Sequence, residues 1–228
     1  MEKIWLQQYP TGVPAEIDLH EYASLVAMLE RSCTRFAERP ACECMGVSVS
    51  YRELDQRARA FAGFLQHELG MKKGDRLALM LPNLLQYPVL LFGALRAGLV
   101  VVNVNPLYTP RELAFQLNDS GATAIVVLEN FAHTLEQVLG DTSIRAVVTT
   151  QAGDLLPAPK RWLVNFVLKH LKRAVPRWRI ARAIPLLEAL RVGRSHALVD
   201  PCLSHDDVAF LQYTGGTTGV AKGVVLSH

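Results

Sequence analysis

Residues 76–104 read RLALMLPNLLQYPVLLFGALRAGLVVVNV, and this stretch decides the fold class. Its apolar pattern predicts a short strand at Arg76–Leu81, a helix at Leu84–Ala97 and a β-branched strand at Leu99–Val104. Strands that read as nearly continuous apolar runs are typical of sheets covered on both faces. The unit therefore predicts parallel strands joined by a helix, which is the repeating element of an α/β fold.

The same alternation continues on both sides of this unit. Ser24–Glu38 has the spacing of an amphipathic helix, and Ser50–Glu53 has the spacing of a capping box that opens a second helix. Downstream, the pattern predicts two helices and two strands, at Pro110–Asp119, Ala124–Leu128, Phe131–Leu139 and Arg145–Thr150. The whole pattern predicts a mixed, largely parallel sheet flanked by helices, preceded by an extended lead-in over residues 1–20.

Composition and charge exclude several classes of protein. Half of the 228 residues are hydrophobic and a fifth are charged, which excludes a disordered or low-complexity chain. The net charge of +3 is too small to indicate nucleic-acid binding. Four cysteines without CxxC spacing indicate buried, reduced thiols rather than a disulfide scaffold or a zinc site. The sequence predicts neither a signal peptide nor a membrane-spanning helix.

Residues 151–205 interrupt the alternation and contain a cluster of basic residues. They contain five prolines, and no acidic residue lies between Asp154 and Glu188. We expect an excursion from the sheet with one helix near Arg161–Ala174. Between Asp154 and Glu188 there are eight basic residues: Lys160, Arg161, Lys169, Lys172, Arg173, Arg177, Arg179 and Arg182.

Leu163, Val167 and Leu171 of this basic segment are spaced to share one helix face. Two interpretations stay open. A basic amphipathic segment over residues 160–182 can lie on an anionic membrane. Alternatively, the apolar face packs on its own domain. Nucleic acid is not expected as a partner, because no base-reading motif is present.

Residues 213–223 read YTGGTTGVAKG and follow a predicted strand, Val208–Tyr213. Glycines let the backbone approach a ligand closely, and successive N–H groups in such a turn can bind an anion. Threonine hydroxyls and a lysine add groups suited to polyphosphate. The spacing differs from the common P-loop, because Lys222 follows Ala221 and a strand is predicted next. A hairpin loop without a ligand remains the alternative.

The loop also resembles the phosphate-binding loop of AMP-forming adenylating enzymes, which include acyl-CoA synthetases, luciferases and peptide-synthetase adenylation domains. SYREL at 50–54, KKGDRLALMLPNLLQYP at 72–88 and RAGLVVVNVNPLYTPRELAFQLNDSGA at 96–122 are similar to segments of bacterial long-chain fatty-acid–CoA ligases. They occur in the family's order. The family often has Ser where this chain has Gly215 and Pro where it has Ala221, and both departures resemble the long-chain variant.

This resemblance implies fatty-acid activation, in which ATP and a fatty acid form acyl-AMP and coenzyme A then gives acyl-CoA. It implies ATP, Mg²⁺ and coenzyme A as cofactors. Thr214 is favoured as the Mg²⁺ ligand, with Thr217 and Thr218 as competitors, and Lys222 is the expected catalytic charge. By position, the residues implied to bind the phosphates are Tyr213, Thr214, Gly215, Gly216, Thr217, Thr218, Gly219, Lys222 and Gly223.

The resemblance further implies that residues 21–228 form the N-terminal portion of the adenylating-enzyme large domain, without the family's later motifs. We therefore expect a fragment that is inactive alone, ending in an unpaired strand at Gly223–Ser227. A cytoplasmic location, peripheral contact with the cytoplasmic face of the inner membrane and a homodimer of the full-length form are further expectations. The competing functions are a medium-chain or aryl acid–CoA ligase, and a non-catalytic, membrane-associated nucleotide- or partner-binding module.

Overall fold

The computed structural model describes residues 2–214 and 221–228. Within them the strands are β1 (Pro40–Cys44), β2 (Val47–Ser50), β3 (Arg76–Met80), β4 (Val100–Asn103), β5 (Ala124–Leu128), β6 (Ala146–Thr150), β7 (Ile184–Pro185), β8 (Val208–Thr214) and β9 (Lys222–Ser227). The helices are α1 (Leu25–Arg35), α2 (Tyr51–Gly63), α3 (Gln86–Arg96), α4 (Pro110–Ser120), α5 (Ala132–Val138), α6 (Lys160–Phe166) and α7 (Leu186–Gly193). The predicted alternation from residue 24 to residue 150 is confirmed, and the predicted ends differ from the observed ones by at most three residues.

The main sheet has seven strands in the order β7–β6–β5–β3–β4–β8–β9. Neighbouring strands are parallel from β7 to β8, and only β8 and β9 pair antiparallel. The predicted mixed, largely parallel sheet is confirmed. Strands β1 and β2 form a separate hairpin that the sequence pattern did not predict.

Side chains of each central strand alternate between two apolar layers. Leu77 and Leu79 of β3 face the layer formed with α1, α2, α3 and α7, whereas Ala78 and Met80 face the layer formed with α4 and α5. Because both layers bury these side chains almost completely, the strands read as unbroken apolar runs.

Helices α2 and α4 begin at capping boxes. The Ser50 hydroxyl accepts from the Glu53 N–H, and the Glu53 carboxylate accepts from the Ser50 N–H, as the sequence predicts. Thr109 and Glu112 form the same arrangement in front of α4, with Pro110 at the first helical position. Each box satisfies two backbone donors that a helix end otherwise leaves free.

A buried arginine joins α3 to α2 and α1. The Arg96 side chain is 2% exposed, and its Nη2 lies 2.5 Å from Oδ1 of Asp55. Its Nε lies 3.4 Å from Oε1 of Glu30, while Oδ2 of Asp55 pairs with Nε of Arg59 at 3.0 Å. Arg96 therefore depends on Asp55, whereas Asp55 has a second, more exposed cation beside it.

Residues 151–205 differ from the prediction in two ways. The helix expected over Arg161–Ala174 is α-helical only to Phe166, and a π-helical turn follows at Val167–Leu171. The segment also returns to the sheet, because β7 pairs with β6 and α7 buries Leu186 against the core. The two-residue strand was too short to be read from the apolar pattern.

Three smaller expectations need correction. The lead-in includes a 3₁₀-helix at Ile4–Gln8 and so is not wholly extended. All four cysteines are free thiols, but Cys33 alone among them is buried, since Cys42 and Cys44 are partly buried and Cys202 is exposed. The final strand is paired, since β9 bonds to β8 on one side, while Val224, Val225 and Leu226 are exposed. Across the described ranges, no helix combines the length and the apolar character needed to cross a bilayer.

Candidate functional site

The two strands that flank the glycine-rich loop lie side by side at the edge of the sheet. Thr214 ends β8, Lys222 begins β9, and the two residues are direct register partners. Partners in an antiparallel pair have Cβ atoms about 4.5–5.5 Å apart on the same face. The side chains of Thr214 and Lys222 therefore leave the strand pair on the same face, and both residues are exposed.

The next register pair lies directly beside this one, and its tyrosine side chain is on the other face of the strands. Tyr213 and Gly223 are partners, and a Cβ placed on Gly223 would lie 3.1 Å from Cζ of Tyr213. The Tyr213 hydroxyl donates to Oδ2 of Asp119 at 2.6 Å, which ties β8 to α4. Burial, and secondarily the Asp119 carboxylate, raise the pKa of Tyr213 well above its ordinary value, so the phenol stays a neutral donor.

Four of the predicted site residues are therefore placed by the structure: Tyr213, Thr214, Lys222 and Gly223. Gly215, Gly216, Thr217, Thr218 and Gly219 lie outside the described residues. A strand, β9, follows the glycine-rich segment, which distinguishes this site from a P-loop, in which a helix follows the glycines. The exposed hydroxyl beside a lysine is chemically suited to a phosphate with its counter-ion.

Mg²⁺ requires oxygen ligands and usually keeps several waters, binding through one or two protein groups and substrate phosphates. Thr214 supplies one such oxygen at the end of β8. Over the ranges the structure describes, no three His, Cys, Asp or Glu side chains lie close enough together to hold a metal ion. The donor set fits an ion that arrives with a phosphate ligand rather than an ion held by the protein alone.

Hydrogen-bonded polar side chains that the sequence pattern did not indicate connect β8 to β4 and α3. The Tyr87 hydroxyl donates to Oδ1 of Asn103 at 2.9 Å, and Nδ2 of Asn103 donates to Oε1 of Gln212 at 3.0 Å. In the sequence, the available signal for these bonds is Asn103, a polar residue directly after the apolar run Val100–Val102. The partners of Asn103 cannot be deduced without the order of the strands.

The basic segment presents an exposed apolar surface. Trp162, Leu163, Phe166 and Leu171 are 62%, 63%, 54% and 69% exposed. The alternative in which Leu163 and Leu171 pack on their own domain is therefore wrong for these two side chains. The segment is nonetheless tied to the body. The Gly153 N–H donates to Oδ1 of Asn165 at 2.8 Å, and Nδ2 of Asn130 donates to the Ala174 carbonyl at 2.8 Å.

The sequence profile of the AMP-binding enzyme family matches residues 29–228. The chain belongs to this family. It is 58% identical over all 228 residues to a long-chain-fatty-acid–CoA ligase of Escherichia coli O157:H7 and 57% identical to one of Yersinia pestis. The chain spans 41% of the length of each of these relatives.

Solved structures of family members have the same fold. A long-chain-fatty-acid-CoA ligase from Archaeoglobus fulgidus aligns with a TM-score of 0.70 at 24% identity, covering 97% of this chain and 39% of that one. A benzoate CoA ligase from Burkholderia xenovorans LB400 aligns with a TM-score of 0.68 at 24% identity, covering 90% and 34%. At these identities the likeness shows the fold, which is that of the N-terminal part of an adenylating-enzyme large domain.

Proposed function

We propose that the protein activates long-chain fatty acids, with residues 213–223 holding the phosphates of ATP. The observation that carries the proposal is the register pairing of Thr214 with Lys222 at the two ends of the glycine-rich loop. The printed names of the relatives that match the whole chain support a long-chain acid as the substrate class.

The chemistry requires a site for negative charge. The fatty-acid carboxylate attacks the α-phosphorus of ATP, so that acyl-AMP forms and pyrophosphate leaves; the thiol of coenzyme A then attacks the acyl carbon and AMP leaves. A carboxylate is a poor electrophile, and AMP converts it into an ester with a good leaving group. Donors held beside the departing pyrophosphate stabilise the transition state more than the ground state. Lys222 is proposed to supply that charge, and Thr214 to supply an oxygen to Mg²⁺.

Binding of MgATP tests the role of the strand pair directly. We expect Lys222→Met to weaken MgATP binding, measured by titration calorimetry on the 228-residue chain, by about tenfold or more, which corresponds to ~1.4 kcal/mol. Lys72→Met is the matched control, since Lys72 is exposed at the opposite end of the sheet, before β3. Equal affinities of the two variants would contradict the role given to Lys222.

Adenylation itself is tested on the native polypeptide that contains residues 1–228. Palmitate-dependent exchange of labelled pyrophosphate into ATP is expected, with much weaker exchange for octanoate or benzoate. Preference for octanoate or benzoate would instead support the medium-chain or aryl ligase alternative. MgATP binding without exchange for any acid would support the non-catalytic nucleotide-binding module.

A second proposal concerns the basic segment. We propose that Trp162, Leu163, Phe166 and Leu171 enter the interface of an anionic membrane, with Lys169, Lys172 and Arg173 beside the headgroups. These apolar side chains are exposed next to exposed basic ones, and each basic residue near anionic lipid contributes about 1 kcal/mol. Such a position brings the protein to substrates that partition into membranes.

Vesicle co-sedimentation tests this placement. Binding to vesicles containing phosphatidylglycerol should weaken with salt and fall several-fold in both Trp162→Ser and Lys169→Gln. Ile17→Ser removes a still more exposed apolar side chain elsewhere and should leave binding unchanged. Salt-independent binding, or the same loss in Ile17→Ser, would contradict the proposal.

A further inference from the structure

Three side chains from three elements form a continuous hydrogen-bonded chain behind the candidate site. Tyr87 lies on α3, Asn103 ends β4, and Gln212 lies on β8, two residues before Thr214. The Tyr87 hydroxyl donates to Asn103 at 2.9 Å, and the Asn103 amide donates to Gln212 at 3.0 Å. Asn103 and Gln212 are also register partners in the parallel β4–β8 pair.

Asn103 is held from the opposite side of the sheet as well. Nε2 of Gln116, a residue of α4 that is 1% exposed, donates to the Asn103 carbonyl at 2.8 Å. The end of β4 is therefore connected to α3 through its side chain and to α4 through its backbone. Such a double connection fixes both the position of the strand end and the direction of its carboxamide.

The carboxamide is not required for packing. The three preceding residues of β4 are buried valines, and an apolar side chain would continue the pattern. A partly buried amide that loses one partner is left with an unsatisfied polar group, so the carboxamide is favourable here only while both bonds are made. Burial raises the pKa of Tyr87, which keeps its hydroxyl protonated as the donor at one end of the chain.

Side-chain alternation places this chain on the same face as the phosphate-binding groups. In a strand, residues two apart point to the same side, so Gln212 and Thr214 share a face of β8. Tyr213 points to the other face, where its hydroxyl is fixed by Asp119. Gln212 is thus tied to α3 through Asn103 on one face of β8, and Tyr213 is tied to α4 on the other face, directly before Thr214.

We infer that Asn103 is a positioning residue. Because it bonds to Tyr87 on one side and to Gln212 on the other, it fixes the position of Gln212 and so orients the Thr214–Lys222 pair toward the phosphates of ATP. The inference rests on the proposed function of residues 213–223. None of the three residues needs to touch the nucleotide. Their effect on binding passes through Asn103, and this makes a specific prediction about pairs of substitutions.

A double-mutant cycle in MgATP affinity tests that prediction. Tyr87→Phe removes only the first hydrogen bond. Gln212→Met removes the second at nearly constant side-chain length, together with the weak 3.5 Å bond from Nε2 to the Tyr213 carbonyl. We expect each single variant to bind MgATP about 3–10-fold more weakly, and the double variant to bind no more weakly than the worse single one. Tyr51→Phe, which alters a tyrosine that packs on Phe36 far from β8, is the control and should bind normally.

Amide hydrogen exchange of the ligand-free chain gives a second readout that needs no nucleotide. Tyr87→Phe and Gln212→Met should each speed exchange at Thr214 and Lys222 several-fold, while the core amides of β3 and β5 keep their wild-type protection. Additive losses of affinity, or unchanged exchange at Thr214 and Lys222, would overturn the inference. A wild-type chain that does not bind MgATP would contradict the proposed function alone, and the exchange comparison would still decide the positioning role.

Discussion

The ring of Tyr213 lies directly against the backbone of Gly223 across the β8–β9 pair. A Cβ on Gly223 would lie 3.1 Å from Cζ and 3.2 Å from Cε2 of that ring. The ring cannot move aside freely, because its hydroxyl is bonded to Asp119 at 2.6 Å and the residue is buried. Glycine at position 223 is therefore required by contact, independently of its backbone freedom.

Gly223→Ala should accordingly destabilise the strand pair and weaken MgATP binding. Overpacking of this kind costs about 1–3 kcal/mol, measured as the loss in free energy of unfolding by urea titration. Gly140→Ala is the matched control, since no atom lies within 4 Å of a Cβ placed there. An equal effect of the two substitutions would show that the Tyr213 contact is not the cause.

The ion pair between Arg96 and Asp55 predicts an asymmetry between its two partners. Asp55→Ala leaves the buried Arg96 guanidinium without its principal anion and should cost about 3 kcal/mol or more. Arg96→Met should cost about 1–2 kcal/mol, because Asp55 is partly exposed and keeps Arg59 beside it. Thermal or chemical unfolding of both variants measures the difference. A larger loss of unfolding free energy for Arg96→Met than for Asp55→Ala would show that Asp55 depends on Arg96 instead.

Capping of α4 should affect both stability and the site. Thr109→Ala removes the hydroxyl that accepts from the Glu112 N–H, and the expected loss is about 1 kcal/mol in unfolding free energy. Because α4 carries Gln116 and Asp119, a weaker helix should also loosen β8, read as faster amide exchange at Tyr213. Thr34→Ala removes an exposed hydroxyl that bonds back within α1 and should change neither quantity appreciably.

Alkaline pH should destabilise the fold through Tyr213. Burial raises its folded-state pKa above the ordinary value of 10.0, so the folded chain keeps a phenolic proton that the unfolded chain loses as the pH exceeds 10. The contribution is complete below pH 10 and declines as pH rises toward the folded-state pKa. Urea unfolding between pH 8 and 11.5 should show a shallower decline for Tyr213→Phe than for the wild type. Identical slopes would mean that Tyr213 ionises equally in both states.

Much of the fold can be predicted because apolar periodicity reports burial. The run Leu77–Met80 is buried on both faces, and only a sheet covered by two helical layers explains that pattern. Capping is equally local, so Ser50 and Glu53 were recognisable from their spacing alone. In contrast, β7 consists of two residues and β1 lacks an apolar run, so their pairing depends on neighbours that the sequence pattern does not reveal.

In the candidate site, too, some residues can be predicted from the sequence and others cannot. Thr214 and Lys222 could be singled out because their residue types suit phosphate and they flank three glycines, with a fourth directly after Lys222. Asn103 and Gln212 could not be connected, because 109 positions separate them and their contact exists only through the order β3–β4–β8. Tyr87 is indistinguishable by sequence from a tyrosine that only packs.

The strand order has a consequence for how the chain folds. Strands β3, β4, β5 and β6 come from residues 76–150 and pair over short sequence separations, whereas β8 joins β4 only after residue 208 has been made. Long loops must close before such a distant pair gains contacts, so its formation is slow relative to local pairing. During synthesis the central strands can assemble while β4 keeps an open edge, and the arrival of β8 closes that edge and brings Thr214 into the sheet. The proposed nucleotide site is thus completed only after the strands β3 to β6 have paired.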